Sequence, residues 1–402
     1  MTTLAVRAPR RRAPDAPPVD KRVRLAWGAL FLNVLAFSGM ATVVPIPGPV
    51  GQLITQGALA LAFVLALAAN PAGLLRPNLY VVVLSVMAVV AVMVSLHNEF
   101  RLASTYRGLR FLSFVAVLWL LSPFWGRRDL LLLRCHRFFL WVVLGSVIAG
   151  ALVAPGLAFS FEGRLAGAIW PVPPTQVAHY AAVLLGSSVV LWMCRVITGR
   201  NAAVSVAITG MVLIATHTRT ALLAGVVGLV CASASLLIAR SRARRTWLFG
   251  ALTAVVGTAV FASGLTTWLL RNQTSSEAAG LTGRTKVWSA ALDHPRSTME
   301  TVFGSGMSNL SFKGLAIDSN WVGTYLDLGL FGIGAEVVLL LGLLISALRQ
   351  PSGPGRAVAI QLTVYCIFSS ITETGLSSPT PYLLDLAVAS ACIARPIRSA
   401  SP

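Results

Sequence analysis

Residues 211–230 read MVLIATHTRTALLAGVVGLV. Two apolar runs meet at a polar centre, THTRT, in which Arg219 stands beside His217 and three threonines. A helix needs about 20 apolar residues to cross the hydrocarbon core of a bilayer. The stretch therefore reads as the end of one span, a tight hairpin, and the start of the next. An arginine inside a membrane segment costs about 3 kcal/mol even on the mildest scales, so its presence requires a cause. Either it anchors the hairpin on the cytoplasmic side, or it holds an anionic partner on the opposite side. Topology decides between the two.

The composition fixes the class. The chain has 402 residues, 56% of them hydrophobic and 11% charged, with a mean hydropathy of +0.78. Those values exclude an ordinary soluble domain and indicate an all-α polytopic membrane protein. The net charge of +19 would point to nucleic acid in a soluble chain. Here it marks the cytoplasmic face, and no nucleic-acid partner is expected. Cys135, Cys194, Cys231, Cys366 and Cys392 stand singly among apolar residues without CxxC or histidine spacing, so they read as packing residues; no metal site and no cofactor are expected.

Apolar runs of spanning length fall at about 25–46, 50–69, 79–96, 107–123, 138–154, 174–194, 202–216, 220–239, 247–270, 319–347, 357–372 and 382–394. The expected architecture is about twelve transmembrane helices with one large ordered extracytoplasmic loop between the ninth and tenth. In domain terms, 1–24 is a disordered basic cytoplasmic tail without a signal-peptide cleavage site, and 25–270 carries helices one to nine. Residues 271–318 form the extracytoplasmic catalytic loop, 319–394 carry helices ten to twelve, and 395–402 are a second cytoplasmic tail.

With both termini cytoplasmic, all but ten of the 32 Lys and Arg residues fall inside, as the positive-inside rule requires. The exceptions are Arg101, Arg107, Arg110, Arg164, Arg219, Arg271, Arg284, Lys286, Arg296 and Lys313. Arg219 is thus expected outside, which favours an anionic partner for it over a lipid anchor. Arg101, Arg107 and Arg110 can equally snorkel to outer headgroups.

Four outside segments carry the remaining chemistry. EGRLAGAIWPVPPTQ (162–176) leads from Arg164 into prolines that hold the chain extended. THTRT is the second. LTGRTKVWSAALDHP (281–295) predicts a short helix with Thr282 as its cap, Arg284 and Lys286 in its first turn, a stripe of Val287, Trp288, Ala291 and Leu292, and Pro295 at its end. In FGSGMSN (303–309), Gly304 and Gly306 allow a turn whose N–H groups converge on an anion. DSNWVGTYLDLGLFG (318–332) then opens the tenth span, with Asp318 or Ser319 as its cap and its positive dipole end facing the same space. Donors without a matching acceptor point to a phosphate or pyrophosphate.

In this order the motifs are Arg-Leu-x-Gly from Arg164, Thr-Arg-x-x-Leu-Leu-Ala from Thr218, Gly-Arg-x-x-x-Trp-x-x-Ala from Gly283, Gly-x-Gly from Gly304, and Tyr-Leu-x-x-Gly-Leu-x-Gly from Tyr325. Over roughly 160–335 the chain resembles the O-antigen ligase and polymerase superfamily. The resemblance implies a metal-independent, inverting glycosyl transfer on the outer face of the bacterial cytoplasmic membrane. The donor would be a glycan on undecaprenyl diphosphate, and the acceptor a hydroxyl of a glycan, lipid or protein.

By position, Arg164, Arg219 and Arg284 match the family's arginines, which hold the pyrophosphate leaving group. Lys286, Gly304, Gly306, Ser319, Asn320 and His217 are expected to line the substrate. The ligase branch carries a histidine eleven residues before the glycine of Gly-Leu-x-Gly; counted back from Gly329, that place holds Asp318. Asp318 is therefore the expected catalytic base, with Glu162, Glu373 and His217 next in order. A polymerase of the same superfamily is the alternative. A flippase or transporter of lipid-linked glycans is the alternative of another class, on the strength of Asp327, Glu336 and Asp385 inside spans.

Overall fold

The computed structural model describes residues 18–248, 250, 284–312 and 314–395. The long helices are α1 (Pro18–Val34), α2 (Gly48–Ala69), α3 (Leu79–Ser95), α4 (Arg101–Leu121), α5 (Leu131–Val153), α7 (Pro174–Met193), α8 (Gly199–Thr216), α9 (Arg219–Ala234), α12 (Asn320–Leu348), α13 (Pro354–Ser369) and α14 (Pro381–Ile393). Shorter pieces are α6 (Pro155–Ala158), α10 (Arg284–Leu292), α11 (Thr298–Phe303) and a two-residue antiparallel pair, β1 (Ser311–Phe312) with β2 (Leu315–Ala316).

A helix stands at each expected segment except the ninth, 247–270, which lies almost wholly outside the described residues. Among the described residues six helices are long and apolar enough to cross a membrane: α2, α4 with its terminal 3-10 turn, α5, α7, α8 and α12. Helices α3, α9 and α14 are apolar but shorter.

Sequence signals set many of the helix starts. Asn78 caps α3 by accepting from the N–H of Val81, and Thr198 caps α8 by accepting from that of Asn201. Ser297 and Glu300 close a capping box on α11. The first helix departs from expectation at both ends. It begins at Pro18, inside the expected tail, and stops at Val34 rather than near 46. Pro45 and Pro47 bar a helix only about their own positions; ahead of them, residues 36–43 bond to the segment before α7. The Ser38 N–H donates to the Pro171 carbonyl at 3.0 Å, that of Val43 to Ala168 at 2.8 Å, and the Trp170 indole to Ala36 at 3.0 Å.

Bonds between connections sort the helix ends into two sets. At one end Leu165 N–H donates to Ala215, Asn320 N–H to Ser370, and Met307 N–H to the Ser95 hydroxyl. At the other, Gly126 N–H donates to Ala391, Asn70 to Leu120, Gln350 to Ile393, and Arg242 to Trp192. Successive long helices therefore alternate in direction from α1 to α9 and again from α12 to α14, while α9 and α12 run the same way; α8 and α9 turn at the first end with only His217 and Thr218 between them.

Helix α7 is the most enclosed of the spanning helices, and in α13 every residue from Ala357 to Cys366 is buried. Around these two, Trp27, Phe31, Tyr80, Phe111, Phe114, Tyr180 and Tyr365 fill the core. The intramembrane acids face inward, as a low-dielectric surround demands. Asp385 lies 2.8 Å from His136 Nε2 and 3.1 Å from His179 Nε2, joining α5, α7 and α14. Glu336 accepts from Asn320 and Thr324, each at 2.6 Å.

Candidate functional site

The site is built where α8 ends and α9 begins. His217 takes a left-handed conformation (φ 48°) that closes α8, Thr218 is the N-cap of α9, and Arg219 is its first residue. No side chain caps α9, so the positive end of a 16-residue helix opens into this space. The hairpin expected at THTRT is present, and His217 serves its turn geometry.

Arg164 reaches the hairpin from the segment before α7. Glu162 (φ 52°) and Gly163 (φ 70°) fold a tight turn closed by a bridge between Phe161 and Arg164. That turn aims Arg164 inward, where its Nε donates to the Thr216 carbonyl and an Nη to the Thr218 hydroxyl, both at 3.0 Å. Arg164 is only 9% exposed. It holds the turn on which Arg219 is mounted.

Arg284 arrives from the N-terminus of α10. Its Nε lies 3.3 Å from Asp318, and an Nη donates to the Thr372 carbonyl at 3.0 Å. The hydroxyl of Thr372 meets that of Thr220 at 2.7 Å, which ties the turn after α13 to the first turn of α9. Val287, Trp288 and Ala291 of α10 pack on Ile317, Val322, Tyr325 and Leu326 and so fix the helix. Leu292, expected in that stripe, is 46% exposed. Thr282, the expected cap, lies outside the described residues.

Glu373 completes the cluster. It follows α13 and is partly exposed, in the field of Arg284, Asp318 and Arg164. Burial pushes its carboxyl up to about 7; Arg284 and Arg164 pull downward and Asp318 pushes further up. Glu373 ranked behind Asp318 in the sequence. The pairing of Thr220, one of the THTRT threonines, with Thr372 has no signal in the sequence, because nothing local marks two hydroxyls 152 residues apart as partners.

Other expected residues take different places. Ser319, not Asp318, is the N-cap of α12, and its side chain makes no capping bond. Asn320 is 1% exposed. Its amide donates to Glu336, and its Oδ1 accepts from the N–H groups of Gly375 and Leu376 at 3.1 and 2.7 Å, so it clamps the turn that carries Glu373. Lys286 is exposed on α10, away from these contacts.

The two glycines do not form an open anion nest. Helix α12 breaks at Gly329 (φ 62°, ψ −158°), which frees the carbonyls of Leu326 and Asp327. The N–H groups of Ser305 and Gly306 bond those carbonyls, and that of Ser308 bonds the Asp327 carboxylate. Gly304 (φ 78°) lies so close that a Cβ would stand 2.3 Å from the Asp327 backbone. The Gly-x-Gly pair is thus a packing joint over a broken helix, its donors already used. Gly304→Ala is expected to lower stability by about 2–4 kcal/mol, through both the left-handed backbone and the overlap. Thermal unfolding in detergent measures this, and an unchanged midpoint would contradict the joint.

Arg164, the α8–α9 turn with Arg219, Arg284, Asp318, Thr372 and Glu373 therefore meet at one end of the bundle. No family model, no curated protein and no solved structure matches this chain.

Proposed function

We propose that the chain transfers a glycan from an undecaprenyl-diphosphate carrier to an acceptor hydroxyl of a glycan, lipid or protein. The site would face the outer side of a bacterial cytoplasmic membrane, with arginines rather than a metal ion as countercharge. The observation that carries this reading is the convergence of Arg164, Arg284 and the uncapped start of α9 with Arg219. Negative charge grows on the departing diphosphate as the bond to the anomeric carbon breaks, and fixed guanidinium groups stabilise that charge without reorganising. Asp318, paired to Arg284 at 3.3 Å, orients this guanidinium. The ligase-like resemblance favours transfer to a distinct acceptor, and polymerisation onto a like glycan is the alternative within the same chemistry.

The direct test is transfer from an undecaprenyl-diphosphate-linked trisaccharide in membranes that contain the native acceptors, with the purified chain added back to a strain lacking it. Transfer that persists in a chelator is the expected result, and no transfer under any condition would overturn the proposal.

Sidedness has its own test. In a background without native cysteines, Ser289→Cys on α10 is expected to react with an impermeant thiol reagent in intact cells, and Ser241→Cys only after lysis. The reverse pattern would place the arginine cluster inside the cell and remove the donor from its reach.

A further inference from the structure

Glu373 sits among three charged side chains, yet its carboxylate receives no hydrogen bond among the described residues. Asp318, the acid favoured from sequence, is committed to Arg284 and is 44% exposed. That contact turns Asp318 toward the guanidinium rather than toward an incoming acceptor. The turn carrying Glu373 is held on every side: its own N–H donates to Ser369 at 2.9 Å, Thr372 is bound by Thr220 and Arg284, and Asn320 grips Gly375 and Leu376. A carboxylate fixed by its backbone, whose oxygens accept no hydrogen bond among the described residues, is placed to act on something that enters the site.

We infer that Glu373 is the general base that takes the proton from the acceptor hydroxyl, and that Asp318 is a positioning residue for Arg284; this rests on the glycan-transfer reading. As the acceptor oxygen bonds to the anomeric carbon, its O–H bond breaks and the proton passes to Glu373. The bond from the anomeric carbon to the diphosphate oxygen breaks, and its electron pair leaves with the diphosphate toward Arg164, Arg219 and Arg284. Glu373 then returns its proton to solvent. The groups that face it are Arg284 from α10, Asp318 before α12, Arg164 from the segment before α7, Tyr365 from α13 and Tyr382 from α14. A carboxyl that titrates at about 7 is matched to proton transfer near neutral pH.

The experiment compares the wild type, Glu373→Gln and Asp318→Asn in transfer from the undecaprenyl-diphosphate-linked trisaccharide, with undecaprenyl diphosphate as the binding probe. Turnover by Glu373→Gln is expected to fall about 10²- to 10⁴-fold with binding retained, and that of Asp318→Asn by no more than about tenfold. The wild-type rate is expected to rise with pH through about 7, where Glu373 loses its proton, and the residual rate of Glu373→Gln to lack that limb. Full activity in Glu373→Gln, or a loss of the limb in Asp318→Asn instead, overturns the assignment and leaves the arginine site standing. Should Glu373→Gln fail to insert, Glu373→Asp and the wild-type profile decide: a wild type with no limb between about pH 6 and 8 overturns it. A wild type that transfers nothing removes the proposed function and this role together.

Discussion

Arg284→Ala is expected to reduce glycan transfer by about 10²- to 10³-fold, the loss that follows removal of one fixed donor to a developing oxyanion. Arg284→Lys is expected to do little better. The guanidinium spans two partners at once, Asp318 and the Thr372 carbonyl, and an ammonium cannot hold both in a plane while presenting further N–H groups to a diphosphate. The alanine variant also leaves Asp318 and Glu373 facing each other without the cation between them, so the acid limb of the pH profile should move upward. Transfer rates set beside protein level and melting temperature separate this from misfolding. Wild-type rates in both variants would reduce Arg284 to a tether for α10.

A second large effect is expected at Asn320, by a different route. Asn320→Ala removes the donor to buried Glu336 and the acceptor for two N–H groups, all enclosed. A buried polar group left unpaired costs about 1–3 kcal/mol. Three of them together are expected to lower stability by about 3 kcal/mol or more, within the limits of additivity. Inactivity here should appear together with a lower melting temperature, whereas Arg284→Ala should melt as the wild type does. An Asn320→Ala chain that is stable but inactive would instead place Asn320 at the substrate.

What the sequence made legible was set by local physics. The THTRT hairpin follows from two apolar runs and a centre too polar to stay in lipid, and the structure places a turn there. The stripe on α10 follows from helical period, and three of its four residues pack as expected. The first helix is shorter than its apolar run because hydropathy carries no term for tertiary bonds: residues 36–43 give theirs to the segment before α7, and the chain beyond Val34 becomes an irregular strap. The glycines at 304 and 306 suggest an anion nest by sequence because a local motif cannot reveal which carbonyls will meet its N–H groups. Those carbonyls come from the break at Gly329, on another helix. Glu373 lay in plain sight after α13, but only its neighbours Arg284, Asp318 and Arg164, each from a distant part of the chain, distinguish it from an ordinary loop acid.

On the proposed function, Arg164, Arg219 and Arg284 form one receptor for a diphosphate. Binding of undecaprenyl diphosphate to the purified chain in lipid nanodiscs tests it without any acceptor. Each arginine-to-alanine variant is expected to bind at least about tenfold more weakly than the wild type, a change of about 1.4 kcal/mol, with the fold intact in Arg219→Ala and Arg284→Ala and the α8–α9 turn loosened as well in Arg164→Ala. Equal binding by all three variants and the wild type would contradict it.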